Sequence, residues 1–178
     1  MTTTIDRFNH LVSRLDGPMV VVTTIAGHER AGCLVGFHGQ CGIDPPRYAV
    51  WLSKANRTYR VGLRAEVFAI HLLGDGDRAL AELFGSDSGD EVDKFRRCAW
   101  TPGEGGVPLL DDCPNRIVGR RTAFVDVGSD HSCMVLEPTA VDDDRRESWL
   151  TLSDVIDLEP GHAAGDPAPP NGGPSPPT

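Results

Sequence analysis

Apolar residues at Ile5, Phe8, Leu11, Val12 and Leu15 recur at the spacing of one helix face. Thr3 or Thr4 can cap that helix, and Asp16-Gly17-Pro18 stops it. The period then changes. Residues 19–25 are β-branched and apolar on both faces, which predicts a strand covered on both sides. Ala26-Gly27-His28-Glu29-Arg30 predicts a hairpin turn into a second strand over 31–37. Further strands are expected at 48–53 and 67–73, with a short helix over 56–63 between them. Asp75-Gly76-Asp77 opens a helix containing Leu80, Leu83 and Phe84, followed by a Ser/Asp/Gly loop at 85–90 and a turn at 91–95. After a glycine-rich loop at 102–108, two closing strands are expected at 113–127 and 132–141, bent back at Gly128-Ser129-Asp130. A short helix or strand over 151–158 ends the pattern. From 163 to 178 only Gly, Pro, Ala, Ser, Asn, Asp and Thr remain, too little apolar surface to order the chain, so this tail is expected to be disordered behind one domain at 1–160.

A chain of 178 residues with 39% hydrophobic and 24% charged positions fits one ordinary globular domain. Its 17 basic against 26 acidic residues disfavour a nucleic-acid partner, which would require a phosphate-neutralising face. The longest apolar runs, at 18–26 and 68–73, fall far short of the roughly 20 residues that span a bilayer. No signal-peptide apolar stretch opens the chain, so the expectation is a cytoplasmic protein without a membrane partner. Cys33, Cys41, Cys98, Cys113 and Cys133 are odd in number and nowhere spaced Cys-x-x-Cys. They read as small hydrophobes rather than a metal site.

Candidate chemistry concentrates between residues 31 and 58. Gly36, Gly39 and Gly42 leave main-chain N–H groups uncovered, with Phe37, His38, Gln40 and Cys41 between them, and Lys54, Asn56, Arg57 and Thr58 follow the next strand. Bare backbone beside a cationic, hydroxyl- and amide-bearing loop is the composition of an anion cradle. The bland reading is a kinked strand at a barrel corner. His131 follows Asp130 at a strand-to-strand turn, where an imidazole could act near neutral pH or simply be a turn residue held by a carboxylate. His38 could equally serve the core or an interface. His71, on an apolar strand, reads as a satisfied interior histidine, and Trp51, Trp100 and Trp149 as packing residues. Lys94-Phe95, after the acidic loop 87–93, would form a lid. The chain has no Gly-x-Ser-x-Gly, His-Glu-x-x-His or phosphate-loop motif.

The order Asp44-Pro45-Pro46, Lys54, Thr58, Phe68-Ala69-Ile70-His71-Leu72-Leu73, Asp93-Lys94-Phe95, Gly106-Val107-Pro108-Leu109-Leu110 and Ser129-Asp130-His131 resembles the flavin reductase-like, FMN-binding split-barrel family over about residues 16–142. The resemblance implies a mainly β fold, a split β-barrel of the FMN-binding type with a few short flanking helices. It implies FMN or FAD as flavin, NADH or NADPH as hydride donor, a homodimer, and a partner monooxygenase receiving reduced flavin. Carried over residue by residue, it places Gly36, Phe37, His38, Gly39, Gln40, Cys41, Lys54, Asn56, Arg57, Thr58 and Phe95 at the cofactor and gives His131 and Asp130 the catalytic positions, with no metal. The alternative on the same barrel is a binding module for flavin, deazaflavin or haem. Gly36, Gly39, Gln40 and Gly42 stand where the family often has Ser or Thr, Asn56 where a hydroxyl is common, Ser129 in place of the Gly of Gly-Asp-His, and His71 where Asn is frequent.

Overall fold

The computed structural model describes residues 2–145 and 148–161; the expected tail at 163–178 lies outside them. Helix α1 (Thr4–Val12) starts on a capping box, with the Thr3 hydroxyl accepting from Asp6 N at 3.1 Å and the Asp6 carboxylate from Thr3 N at 2.8 Å. None of its residues is buried. The elements that follow are β1 (Val20–Ala26), β2 (Glu29–Val35), β3 (His38–Ile43), β4 (Pro46–Ser53), α2 (Arg57–Gly62), β5 (Val67–Leu72), α3 (Arg78–Gly85), β6 (Trp100–Pro102), β7 (Pro108–Leu110), β8 (Arg116–Asp126) and β9 (His131–Asp142).

Seven strands form one antiparallel sheet in the order β2-β1-β5-β8-β9-β4-β3, while β6 and β7 form a separate hairpin. The two edge strands, β2 and β3, are consecutive in the chain and joined by Gly36-Phe37, whose Phe37 carbonyl accepts from Trp51 N at 2.9 Å. The sheet therefore curls until its edges meet through a link rather than a ladder, which makes the barrel split.

The apolar run of β1 is double-faced because both of its faces are covered. Val20 and Val22 point into the barrel with Cys33, Val35, Val50, Leu52, Phe68, Ile70, Met134 and Leu136. Val21 points outward into a second cluster with Met19, Leu73, Leu80, Phe84, Phe95, Leu110, Leu150 and Val155. Gly32 admits that outer layer: a Cβ there would lie 2.7 Å from Phe84 Cε1. His71 is fully buried, its Nδ1–H donating to Val21 O at 3.1 Å and its Nε2 accepting from Leu110 N at 3.0 Å, in agreement with an interior role.

Three sequence expectations change. Residues 38–43, read as bare backbone, are strand β3, with Gly39 paired to Ala49 and Gln40 to Tyr48 and a bulge between Gln40 and Gly42. Glycine is tolerated there because an edge strand needs pairing on one side only. Lys94 and Phe95 form no lid: they lie buried in a 3₁₀ turn (Lys94–Arg96), with Phe95 edge-on to both Phe84 and Trp100. Lys94 Nζ donates to Phe84 O at 2.9 Å, and burial pulls its pKa down. Finally, residues 150–161 are neither helix nor free strand but a strap with one 3₁₀ turn (Ser153–Val155), laid back across β1 and the end of α3.

Candidate functional site

A cleft of about 680 Å³ opens on the outer side of β2. Its floor is Leu34, Gly36 and Phe37, extended by Trp51 and Ser53, whose side chains alternate outward while Val50 and Leu52 fill the barrel. Ser53 pairs with His131 in the β4–β9 ladder, which brings a residue far along the chain to the same rim. Asn56 caps α2, its Oδ1 accepting from Thr58 N at 2.9 Å, so its amide NH2 is the group left to donate. The walls are α1 (Asn9, Val12, Ser13), the end of α3 (Phe84, Gly85), and the strap (Leu152, Val155, Leu158, Pro160).

His131 Nδ1 lies 3.1 Å from Asp130 Oδ1, and that contact holds the Asp130 carboxyl below the usual carboxylate range. The Phe37 ring meets the imidazole edge-on at 5.4 Å. A carboxylate on Nδ1 and an aromatic edge together fix the ring plane, leaving Nε2 as the nitrogen available for other work.

The structure thus brings Gly36, Phe37, Asn56 and His131 together at the cleft, with Asp130 behind His131. Lys54 stands beside this rim rather than in it: its N–H donates to Asp130 O at 2.9 Å and its Nζ to Asp126 at 2.9 Å. Arg57 turns away, donating to Gly89 O at 2.7 Å and Glu29 Oε1 at 3.1 Å. Thr58 is buried beside a separate cavity of about 20 Å³ lined also by Arg30, Arg57, Lys94 and Phe95, and its Oγ1 finds no hydrogen-bond partner among the described residues. His38 donates from Nε2 to Pro18 O at 2.8 Å and accepts at Nδ1 from Tyr48 OH at 2.7 Å. Burial pushes its pKa down, keeping it neutral, and it borders a shallow groove shared with Gly36, Phe37 and Trp51. Gly39, Gln40 and Cys41 are on the β3–β4 hairpin and line neither the cleft nor the groove.

Sequence reasoning missed Trp51, Ser53 and the strap. The first two stand one position either side of Leu52 in an alternating strand, which places them on the outer face. Leu152, Val155 and Leu158 recur every third residue, a signal of one-sided burial that a segment of that length still carries.

Residues 12–154 match the family model described as flavin reductase like domain. The chain belongs to that family. Among its relatives is a protein named NADH:riboflavin 5'-phosphate oxidoreductase from Streptomyces pristinaespiralis, 27% identical over 135 residues that cover 75% of each chain. The solved structure of an FMN-binding protein from Thermus thermophilus with bound 1-cyclohex-2-enone superposes with a TM-score of 0.66 at 27% identity, over 71% of this chain and 70% of that one. The Streptomyces globisporus NADH:FAD oxidoreductase structure shares the fold with a TM-score of 0.73 at 22% identity, covering 83% and 89% of the two chains. For a flavin reductase-like chain the cleft is chemically apt: an isoalloxazine ring has one polar and one apolar edge, and the cleft lining combines Ser53, Asn56 and His131 with the leucines and valine of the strap.

Proposed function

We infer that this chain is an NAD(P)H-dependent flavin reductase that takes its flavin in the cleft between β2, α1 and the strap. The observation that carries the reading is the meeting of Ser53, Asn56 and the Asp130-His131 pair at one rim of an open, apolar-walled cleft in a chain of this family. When bound, flavin and nicotinamide supply the hydride chemistry themselves, and the protein binds, orients and desolvates. Ser53 Oγ–H and the Asn56 amide would donate to the carbonyl edge of the ring. Phe37 and Trp51 offer flat apolar surface, and α1 with the strap excludes water from the ring's sides. Asp130 orients His131 through Nδ1, leaving Nε2 to hold or pass a proton at the rim.

FMN is the flavin we assign, supported by the riboflavin 5'-phosphate named for the Streptomyces relative. An open cleft lets the flavin leave once reduced, as a supplier of reduced flavin to a monooxygenase requires. We also assign a homodimer. Ile5, Phe8, Leu11 and Leu15 are 55–70% exposed along α1, an apolar stripe that a second copy would cover. The buried strands β1 and β5 cannot contribute to it, since their own chain covers them. A cytoplasmic location is supported by five cysteines that are all free thiols.

The test is oxidation of NADH and NADPH, followed by absorbance, on adding FMN or FAD to the purified protein. Turnover with FMN is expected; no turnover with either flavin and no quenching of tryptophan fluorescence by either would overturn the assignment.

A further inference from the structure

The turn that carries Asp130 and leads into His131 buries none of its own side chains. Residues 127–130, between β8 and β9, are all exposed, and Gly128 stands at φ +76° with no atom of the described residues within 4 Å of the place a Cβ would take. Hydrogen bonds rather than packing therefore set its shape. One lies inside it, from Ser129 Oγ to His131 O at 2.9 Å. Lys54, the residue after β4, reaches both feet of the turn: its N–H donates to Asp130 O at 2.9 Å and its Nζ to Asp126 Oδ1 at 2.9 Å. The same Oδ1 accepts from Gly128 N at 2.9 Å, so the ammonium holds the carboxylate that holds the bend. The Lys54 bond is the chief cause that keeps the Asp126 carboxyl below the usual carboxylate range, and at Asp130 the Lys54 charge adds to the larger effect of His131.

We propose that Lys54 is a positioning residue: by gripping Asp126 and the Asp130 carbonyl, it fixes the β8–β9 turn so that Asp130 meets His131 Nδ1 and the imidazole stays at the cleft. The inference rests on the flavin reductase reading above, in which that ring acts at the rim. Asp130 can steer the imidazole only if its own backbone is held, because a carboxylate on a free turn samples many positions and loses the 3.1 Å contact to Nδ1. The pairing with Ser53 fixes where the His131 backbone starts, and Phe37 meets the ring edge-on. Neither contact fixes the carboxylate. The lysine side chain supplies that third point of support through a charged pair instead of burial. Its effect on global stability is small, since an exposed ion pair contributes little. Its effect on turnover is larger, since reacting groups lose rate steeply when displaced.

Lys54→Met removes the charge while keeping the length of the side chain, and Lys54→Arg restores a cation. Long-range proton–nitrogen NMR of the full chain without flavin, at alkaline pH, reads which ring nitrogen of His131 carries the proton, and His131→Ala identifies its signals. The wild-type chain and Lys54→Arg are expected to show the Nδ1–H form, and Lys54→Met a mixture of the two tautomers. NADH turnover with FMN should fall roughly three- to tenfold in Lys54→Met and recover in Lys54→Arg, while FMN affinity, read from tryptophan fluorescence, stays within about twofold. In a His131→Ala background, Lys54→Met should lower turnover no further. An unchanged tautomer in Lys54→Met would overturn the proposal, as would an equal fall in turnover in both backgrounds. FMN binding weaker by roughly tenfold or more would overturn it too, by placing the ammonium on the flavin. If Lys54→Met melts well below the wild type, Asp126→Asn replaces it, keeping an acceptor for Gly128 N while discharging the pair. A His131→Ala protein that turns over normally would instead remove the role given to the imidazole, and the flavin-free spectra would still decide whether Lys54 orients it.

Discussion

Acidification should destabilise this protein through His71, and by an amount the structure sets. The imidazole is fully buried and uses both nitrogens as a neutral ring, donating at Nδ1 to Val21 O and accepting at Nε2 from Leu110 N. A second proton would face the Leu110 N–H, donor against donor. Burial lowers the pKa to about 4; the bond to Val21 O opposes this, and the positive Arg116 adds to it. In the unfolded chain the same group titrates near its ordinary value of about 6.5. Between those two values the unfolded state binds a proton that the folded state refuses. The stability due to neutral His71 is therefore complete above about pH 6.5, falls as pH drops, and levels off below about 4, a loss of about 3 kcal/mol. Urea denaturation of the wild-type chain and of His71→Gln at pH 7.5, 6.5, 5.5 and 4.5 measures it. The glutamine amide can also donate to Val21 and accept from Leu110 but does not titrate, so that variant should start less stable and lose less. Carboxylates with lowered pKa, such as Glu29, Asp126 and Asp130, also cost stability in acid, but they do so in both proteins and cancel in the difference. Parallel curves from pH 7.5 to 4.5 would refute the reasoning.

Two further outcomes are expected. His131→Ala should leave FMN affinity within about threefold while lowering NADH turnover, because the imidazole at the rim has gone; loss of FMN binding with normal turnover at saturating FMN would place the imidazole on the flavin instead. Sedimentation at low micromolar concentration should show a dimer that Phe8→Asp converts to monomer, and a monomeric wild-type chain would contradict the role given to the α1 stripe.

What could be read from the chain, and what could not, divides along one physical line. Elements whose cause is local were legible: the Thr3 cap and apolar stripe of α1, the Gly27 turn between β1 and β2, the double-faced valine run of β1, and the interior character of His71. Residue types alone misplaced most of the cradle, because composition specifies what a loop could bind and not which way its side chains point. Arg57 was read as a phosphate ligand, but Glu29, 28 positions upstream, and the Gly89 carbonyl, 32 downstream, hold it away from the cleft. Thr58 turned inward because a helix with Asn56 as its cap sets its second residue on the buried face. Phe95 looked like a lid only while Phe84 and Trp100, which enclose it, were unseen.

The rim of the cleft is a product of long-range pairing: the β4–β9 register sets Ser53 against His131, 78 positions apart, and no local pattern encodes that register. The alternation that sets which face each residue takes, Val50 and Leu52 inward with Trp51 and Ser53 outward, was present in the chain but was outweighed by the prior that tryptophans pack. The strap was obscured for the opposite reason. Its three leucine and valine positions suit a short helix or a strand equally, and it owes its position to backbone bonds with Gly17, Met19 and Leu73, all far upstream in the chain. A wall assembled from segments so far apart in the chain cannot be read from any one of them, because each carries only its own share of the apolar surface.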